Sequence, residues 1–369
     1  MRSRDSVTAS SGNEIHAEGT RMTQRRILAL AEGRFSPLRS KTANGAIVYL
    51  KDEVVAVIDS TKSGMTAQEV LGYGGTIPVV GSVEEGMPFA PTHLLIGIAP
   101  SGGRLPETWR GWILTALRNR LHVLSGLHTI LSDDAEFVRA AAEHGVTITD
   151  WRRIAPEYEV VSRGSYRTRT ARTVLTVGAD CNIGKMTTSL QVHAEFRRRG
   201  LKSDFIGTGQ TGIMIAGKGV AVDAIISDYI AGSIERCIDA SAAEGHEYIF
   251  VEGQGALTHP GYSGVTLGLI HGTMPDAMVL CVQPTRTVDD YGLPIPDIGR
   301  LVRFHEEAVG FFRPSRVVGI GVNSIGLTDA QSRDEAKKLE DRTGLPAADA
   351  FRFGGGKLAD ALLEHFKAG

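Results

Sequence analysis

The run Val174-Leu175-Thr176-Val177-Gly178-Ala179-Asp180-Cys181-Asn182-Ile183-Gly184-Lys185-Met186-Thr187-Thr188 decides the fold of the chain's second half. Its first four residues are apolar or β-branched and read as a strand. A loop from Gly178 to Gly184 follows, and Lys185 opens a helical pattern that runs to Arg199. In a strand–loop–helix unit of this kind, backbone N–H groups of the loop and of the helix N-terminus converge on one spot. The helix dipole adds positive potential there and the lysine adds a full charge, so phosphate is the ligand that uses all three. The predicted phosphate-binding set is Gly178, Asp180, Cys181, Asn182, Ile183, Gly184, Lys185, Met186, Thr187 and Thr188. Two departures narrow the chemistry. The spacing is G-x5-GK, one residue longer than G-x4-GK. Met186 stands where a Walker loop carries the Ser or Thr that holds magnesium, and Thr187 and Thr188 leave the helix at other angles. Phosphate binding is expected, metal-assisted phosphoryl transfer less so.

Working outward, short apolar runs alternate with helical patterns on both sides. Downstream, strands are expected at 173–177, 204–206, 248–251, 277–282 and 317–322, with helices at 185–199, 234–243, 297–307, 328–343 and 357–366. Upstream, strands are expected at 27–31, 54–58, 77–80, 94–99, 122–125 and 146–148, with helices at 106–119 and 133–144, the latter N-capped by Ser132. Strands alternating with helices imply parallel sheets with right-handed crossovers. The expected fold is α/β: a Rossmann-like domain over 22–150, a linker over 151–172, and a P-loop NTPase-like parallel α/β domain over 173–369. The linker carries Arg163, Arg167, Arg169 and Arg172 and reads as a solvated connection. Residues 1–21, rich in Ser, Thr and Arg, read as a disordered extension, with Met22 as a candidate start.

Further loops fall at the expected strand ends, where open α/β sheets bind their ligands. Strand 248–251 runs into Glu252-Gly253-Gln254-Gly255, with His259 close behind. An acid at that place is where a Walker B carboxylate sits, so Glu252 is either a metal ligand or a base, or else a cap of a neighbouring helix. The segment 204–212 supplies three glycines with Thr208, Gln210 and Thr211. Asp228, in an apolar helical frame, is either a buried site residue or a cap. His259 is a candidate base, although a lone histidine is more often structural. In the first domain Ser101, Gly102 and Arg104 follow one strand and Ser125 and His128 the next, which outlines a second pocket. No G-x-G-x-x-G opens the first helix there, so NAD is not expected.

Composition excludes other classes. The 369 residues carry 40 basic and 42 acidic side chains, so no global footprint for nucleic acid or an anionic membrane follows. Aromatic residues are 6%, too few to favour a base-stacking platform. No apolar run approaches the ~18 residues of a spanning helix. The three cysteines, Cys181, Cys237 and Cys281, form no CxxC pair, which argues against a disulfide scaffold or a structural zinc and fits the cytoplasm. No HxH or HExxH spacing appears, and no metal is expected. Cys181, at a helix N-terminus, is read as a small loop-packing residue, with a nucleophile as the alternative.

The longer loop with Asp180 two residues after Gly178 resembles the dethiobiotin-synthetase branch of P-loop proteins. More specifically, the blocks Asp59–Thr61, Gly97–Pro106, Ser125–His128 with Asp133 and Asp134, Gly178–Thr188, Gly207–Gly217 and Glu252–Ala256 resemble one bacterial and archaeal family. That family was long catalogued as a domain of unknown function, with a Rossmann-like N-terminal half and a P-loop C-terminal half. The resemblance spans about residues 26–366, and the loop Asp-Cys-x-x-Gly-Lys-Met-Thr-Thr, Met included, is specific to it. Some members are D-glutamate N-acetyltransferases that use acetyl-CoA. The resemblance therefore implies an acetyl-CoA donor and a D-amino acid, most simply D-glutamate, as the small-molecule acceptor. The phosphate loop would then hold the phosphates of acetyl-CoA, with Gln210 and Thr211 beside it. An amine acceptor needs a base and an oxyanion donor. Glu252, Asp180 and His259 are base candidates, and Asn182, Lys185 or backbone N–H groups are oxyanion donors. Arg104 or Arg286 would bind the substrate carboxylates, alongside Ser101, Gly102, Ser125 and His128. Two alternatives stay open: an ATP- and magnesium-dependent ligase or kinase of the dethiobiotin-synthetase type, and a nucleotide-sensing regulatory protein. A homodimer or higher homo-oligomer is expected.

Overall fold

The computed structural model describes residues 25–50, 52–98, 100 and 103–368. The expectations for 1–21 and Met22, and the candidate site residues Ser101 and Gly102, lie outside the described residues. The chain divides into two compact units, one ending at Ala155 and the other starting at Pro156.

In the first unit the strands are β1 (Ile27–Leu30), β2 (Val54–Ile58), β3 (Val79–Val80), β4 (His93–Ile96), β5 (His122–Ser125) and β6 (Ile148–Asp150). They form one parallel sheet in the order β3-β2-β1-β4-β5-β6, the doubly wound Rossmann order. The helices are α1 (Lys41–Tyr49), α2 (Ala67–Leu71), α3 (Val83–Gly86), α4 (Glu107–Arg118) and α5 (Ala135–His144). All four residues of β1 are fully buried, as a strand covered on both faces requires. The cap of α5 is Asp134, whose Oδ1 accepts from the amides of Glu136 and Phe137. Ser132, expected in that role, sits in a 3-10 turn before the helix and donates its hydroxyl to Asp150 instead.

In the second unit the strands are β7 (Arg172–Gly178), β8 (Ser203–Ile206), β9 (Tyr248–Val251), β10 (Ala277–Val282), β11 (Arg316–Val322) and β12 (Ala347–Ala348). They too are all parallel, in the order β12-β11-β10-β7-β9-β8. The helices are α6 (Lys185–Arg198), α7 (Gln210–Ala216), α8 (Ile230–Ala243), α9 (Ser263–Thr273), α10 (Ile298–Gly310), α11 (Asp329–Thr343), α12 (Ala350–Phe353) and α13 (Gly356–Ala368). From β7 the chain winds one way through β8 and β9, then the other way through β10 to β12. Right-handed crossovers therefore send the connections after β7 and β10 to opposite faces, and their loops flank a crevice at the carboxyl edge.

The arginine-rich stretch expected as a solvated linker is fastened to α8. The Glu235 carboxylate accepts from the amides of Arg163 (2.6 Å), Gly164 (2.7 Å) and Ser165 (3.0 Å) and from the Ser162 hydroxyl (2.8 Å). Arg169 is buried, and its Nη2 donates to the Thr273 carbonyl at 2.9 Å. Among the described residues no helix is long and apolar enough to cross a membrane.

Candidate active site

β7 delivers its carboxyl end into the glycine loop because every residue from Thr173 to Gly178 is buried in the middle of the sheet. The turn into α6 needs two left-handed residues, Asn182 (φ 53) and Gly184 (φ 95), which asparagine and glycine tolerate best. Ile183, 1% exposed, pins the loop to the core. No side chain caps the N-terminus of α6, so its first amides are directed into the loop's concavity. Lys185 is buried, and its Nζ donates to the Asp180 carbonyl at 2.6 Å. Its stem lies against Gly178 and Gly253. A Cβ on Gly253 would stand 3.1 Å from the Lys185 Cδ and only 1.7 Å from the Thr176 carbonyl oxygen, so only glycine fits there.

The rest of the loop divides between rim and core. Asn182 is exposed at the tip, and Cys181 and Thr187 are half-buried. Met186 is buried, and no hydroxyl stands at its position. Thr188 turns inward to Gly321 and to the Cys281 thiol, away from the phosphate cradle.

Asp180 has no exposed surface. Its Oδ1 accepts from the Cys181 amide at 2.6 Å, and its Oδ2 accepts from Arg286 Nη1 at 2.7 Å. The same Arg286 nitrogen donates to the Cys181 carbonyl at 3.0 Å. Arg286, from the loop after β10, thus clamps the phosphate loop. It was expected on a substrate carboxylate; here it holds a carboxylate of the protein itself.

Glu252 follows β9 and is buried. Its Oε2 accepts from the amides of Thr208 (2.9 Å) and Gly209 (3.3 Å), at the N-terminus of α7, and its carbonyl accepts from the Thr208 hydroxyl. This is the capping alternative of the sequence reading, made from a neighbouring strand. Gln210 and Thr211 open α7, half-buried and buried respectively.

His259 is buried beside the loop. Its Nδ1 accepts from the Gly261 amide at 3.1 Å, which assigns the ring proton to Nε2, and Nε2 contacts Asp290 Oδ1 at 2.5 Å. The ring stacks on Tyr262 and meets Tyr291 edge-on, each with centroids 4.7 Å apart. Burial, helped by the nearby Tyr291, Cys181 and Asp290, pushes the Tyr262 hydroxyl up. An Asp180 oxygen, the Cys181 sulfur and a His259 nitrogen all lie within 4.8 Å of one another. As a metal site this trio fits poorly, because a cation would compete with Arg286 on Asp180 and with the two bonds already made by His259. Asp204, Glu244 and His246 form a second such group, but Lys218 sits between two of its carboxylates.

The structure therefore gathers the phosphate loop, Glu252, Gln210, Thr211, His259 and Arg286 at the carboxyl edge of the second sheet. Arg104, Ser125 and His128 belong to the carboxyl edge of the first. There Ser125 is fully buried and accepts from the Leu127 amide, while Arg104 and His128 are exposed. Asp228, a candidate for burial, is exposed in a turn. Sequence reasoning missed Asp290, Tyr262 and Tyr291. Asp290 lies in the connection after β10, a strand end where the rule that flagged Glu252 applies equally.

Comparison with known proteins agrees across both units. Residues 160–359 match a domain of unknown function described as the DUF1611_C P-loop domain, and residues 60–154 match the DUF1611_N Rossmann-like domain. A D-glutamate N-acetyltransferase of Tritonibacter scottomollicae is 39% identical over 285 residues, covering 76% of this chain and 84% of that protein. One from Pseudoalteromonas sp. is 35% identical over 277 residues, covering 74% and 82%. The crystal structure of a DUF1611 family protein from Anabaena variabilis superposes with a TM-score of 0.87 at 35% identity, covering 92% of this chain and 99% of that one. Matches to the family across both units, and relatives at 35–39% identity along about three quarters of its length, make this chain a member of the DUF1611 family.

Proposed function

We propose that this protein transfers the acetyl group of acetyl-CoA to the amino group of D-glutamate. The observation that carries the reading is the likeness to two proteins named for that acceptor, over about three quarters of the chain. The phosphate loop supports the donor. The uncapped N-terminus of α6 and the buried Lys185 suit the phosphates of an acyl-CoA, and Met186 withholds the hydroxyl that an ATP-magnesium complex would use.

Acetyl transfer needs a base for the amine proton and donors for the tetrahedral oxyanion. His259 is the better base, because its Nδ1 carries a lone pair. Asp180 is paired with Arg286, and Glu252 is tied by two amides to the start of α7. Asn182, exposed at the loop tip, is the oxyanion donor of this reading. Reduced cysteines suit a cytoplasmic enzyme, and the reading includes a homo-oligomer.

The test is thiol release from acetyl-CoA with a panel of D- and L-amino acids, in EDTA. Release with D-glutamate and not L-glutamate is expected. Absence of release with every amine, together with ADP formation on adding ATP and magnesium, would replace this reading by the ligase or kinase one.

A further inference from the structure

The three cysteines have different surroundings. Burial pushes the Cys281 thiol up to about 11 and the Cys237 thiol up to about 12, so neither supplies a thiolate near neutral pH. Cys181 is only half-buried and follows the end of β7, in the loop that opens α6. Its sulfur lies within 4.8 Å of a His259 nitrogen, and His259 in turn contacts Asp290. Two cations bind the backbone on either side of it: Lys185 at the Asp180 carbonyl and Arg286 at the Cys181 carbonyl. A nucleophile beside a base, with the base oriented by a third group, is the arrangement covalent catalysis requires. The cluster is assembled from three loops: the phosphate loop, the loop after β9 and the loop after β10.

Resting on the acetyl-transfer reading, we propose that Cys181 carries the acetyl group as an enzyme thioester, with His259 as its proton acceptor and Asp290 as the residue that positions the imidazole. The Cys181 proton passes to His259 Nδ1, displacing the bond from the Gly261 amide. The thiolate adds to the carbonyl carbon of the acyl-CoA. Collapse breaks the carbon–sulfur bond of the donor, and the departing CoA thiolate takes the proton from the imidazolium. The acceptor, a primary amine that has lost one proton to solvent, then adds to the Cys181 thioester. Its remaining excess proton goes to Nδ1, the carbon–Sγ bond breaks, and Cys181 leaves as a thiolate that takes that proton back. No oxidant or reductant enters either half.

The experiment mixes the full-length enzyme with acetyl-CoA and no amine, quenches in acid, and measures thiol and intact mass. A burst of CoA thiol equal to the enzyme is expected, with one acetyl group added on the peptide that holds Cys181. Adding D-glutamate should discharge it. Cys181→Ala should lose the adduct and about a thousandfold in turnover, while CoA binding by calorimetry confirms that it folds. Asp290→Asn should lower kcat about tenfold with KM little changed, and Asp290→Glu should restore part of the loss. Amine-dependent turnover by the wild type with no acetyl-enzyme, and Cys181→Ala active within a few fold, would overturn the covalent step and leave acetyl transfer standing. Absence of amine-dependent thiol release from the wild type would remove both. An unchanged kcat in Asp290→Asn would overturn the positioning role.

Discussion

A fully buried carboxylate is costly to keep ionised unless something cancels its charge. At Asp180 that group is Arg286, which reaches across from the loop after β10 and uses one nitrogen for both Asp180 and the Cys181 carbonyl. The clamp offsets the negative charge in the loop and holds the Cys181 carbonyl in place. Arg286→Ala leaves the carboxylate buried and unpaired. The cost should be about 2 kcal/mol, at the low side for a buried pair because the guanidinium is partly exposed. Urea unfolding should show a lower midpoint at unchanged slope, and the KM for acetyl-CoA should rise. An unchanged midpoint would mean that Asp180 takes up a proton or another partner. The carboxylate and the lysine were readable in the sequence because they lie within one motif. The clamp was not, since Arg286 is separated from Asp180 by 106 positions and only the folded sheet brings them together.

At the scale of elements, α9 shows why some helices escaped the sequence reading. Its glycines at 264, 268 and 272 recur every four residues, which flattens one face and dilutes the apolar pattern that signals a helix. The flat face lets α8 approach: a Cβ on Gly272 would stand 2.6 Å from the Ala231 carbonyl, and one on Gly268 would stand 2.7 Å from Ile230 Cγ2. Gly264 faces open space, with nothing within 4 Å. The same substitution should therefore act with opposite sign along one helix. Gly272→Ala should destabilise by about 2 kcal/mol, because backbone must move. Gly264→Ala should stabilise by about 0.5 kcal/mol through helix propensity. Thermal unfolding of the two variants checks both, and equal effects would refute the packing argument. The central strands, by contrast, announce themselves as short unbroken apolar runs, because both faces of a parallel sheet are covered. Strands β3 and β12, two residues each, carry too little pattern to be placed well.

Across the whole molecule, the alternation of strand and helix predicts parallel sheets, but the strand orders arise from long-range pairing that periodicity does not encode. What both units share is a set of histidines kept neutral by burial. Burial, with His122 and Arg25 adding to it, takes His93 of the first unit down to about 4. Burial likewise takes His193 and His305 of the second unit down to about 4. In the unfolded chain these rings titrate near 6.5. Between those values the unfolded state binds more protons than the folded one, so this stability is fully present above about pH 6.5 and is lost as pH falls toward 4. His305 has no exposed surface; its Nδ1 donates to the Leu301 carbonyl, and its Nε2 lacks a hydrogen-bond partner. That ring alone should remove about 2 kcal/mol between pH 7 and pH 5. The urea midpoint of the wild type should fall over that interval. In His305→Phe, which keeps the ring volume and removes both the proton site and the unpaired Nε2, the fall should be smaller by that amount. A slope identical to the wild type's would mean that the buried ring protonates in place and carries none of the acid sensitivity.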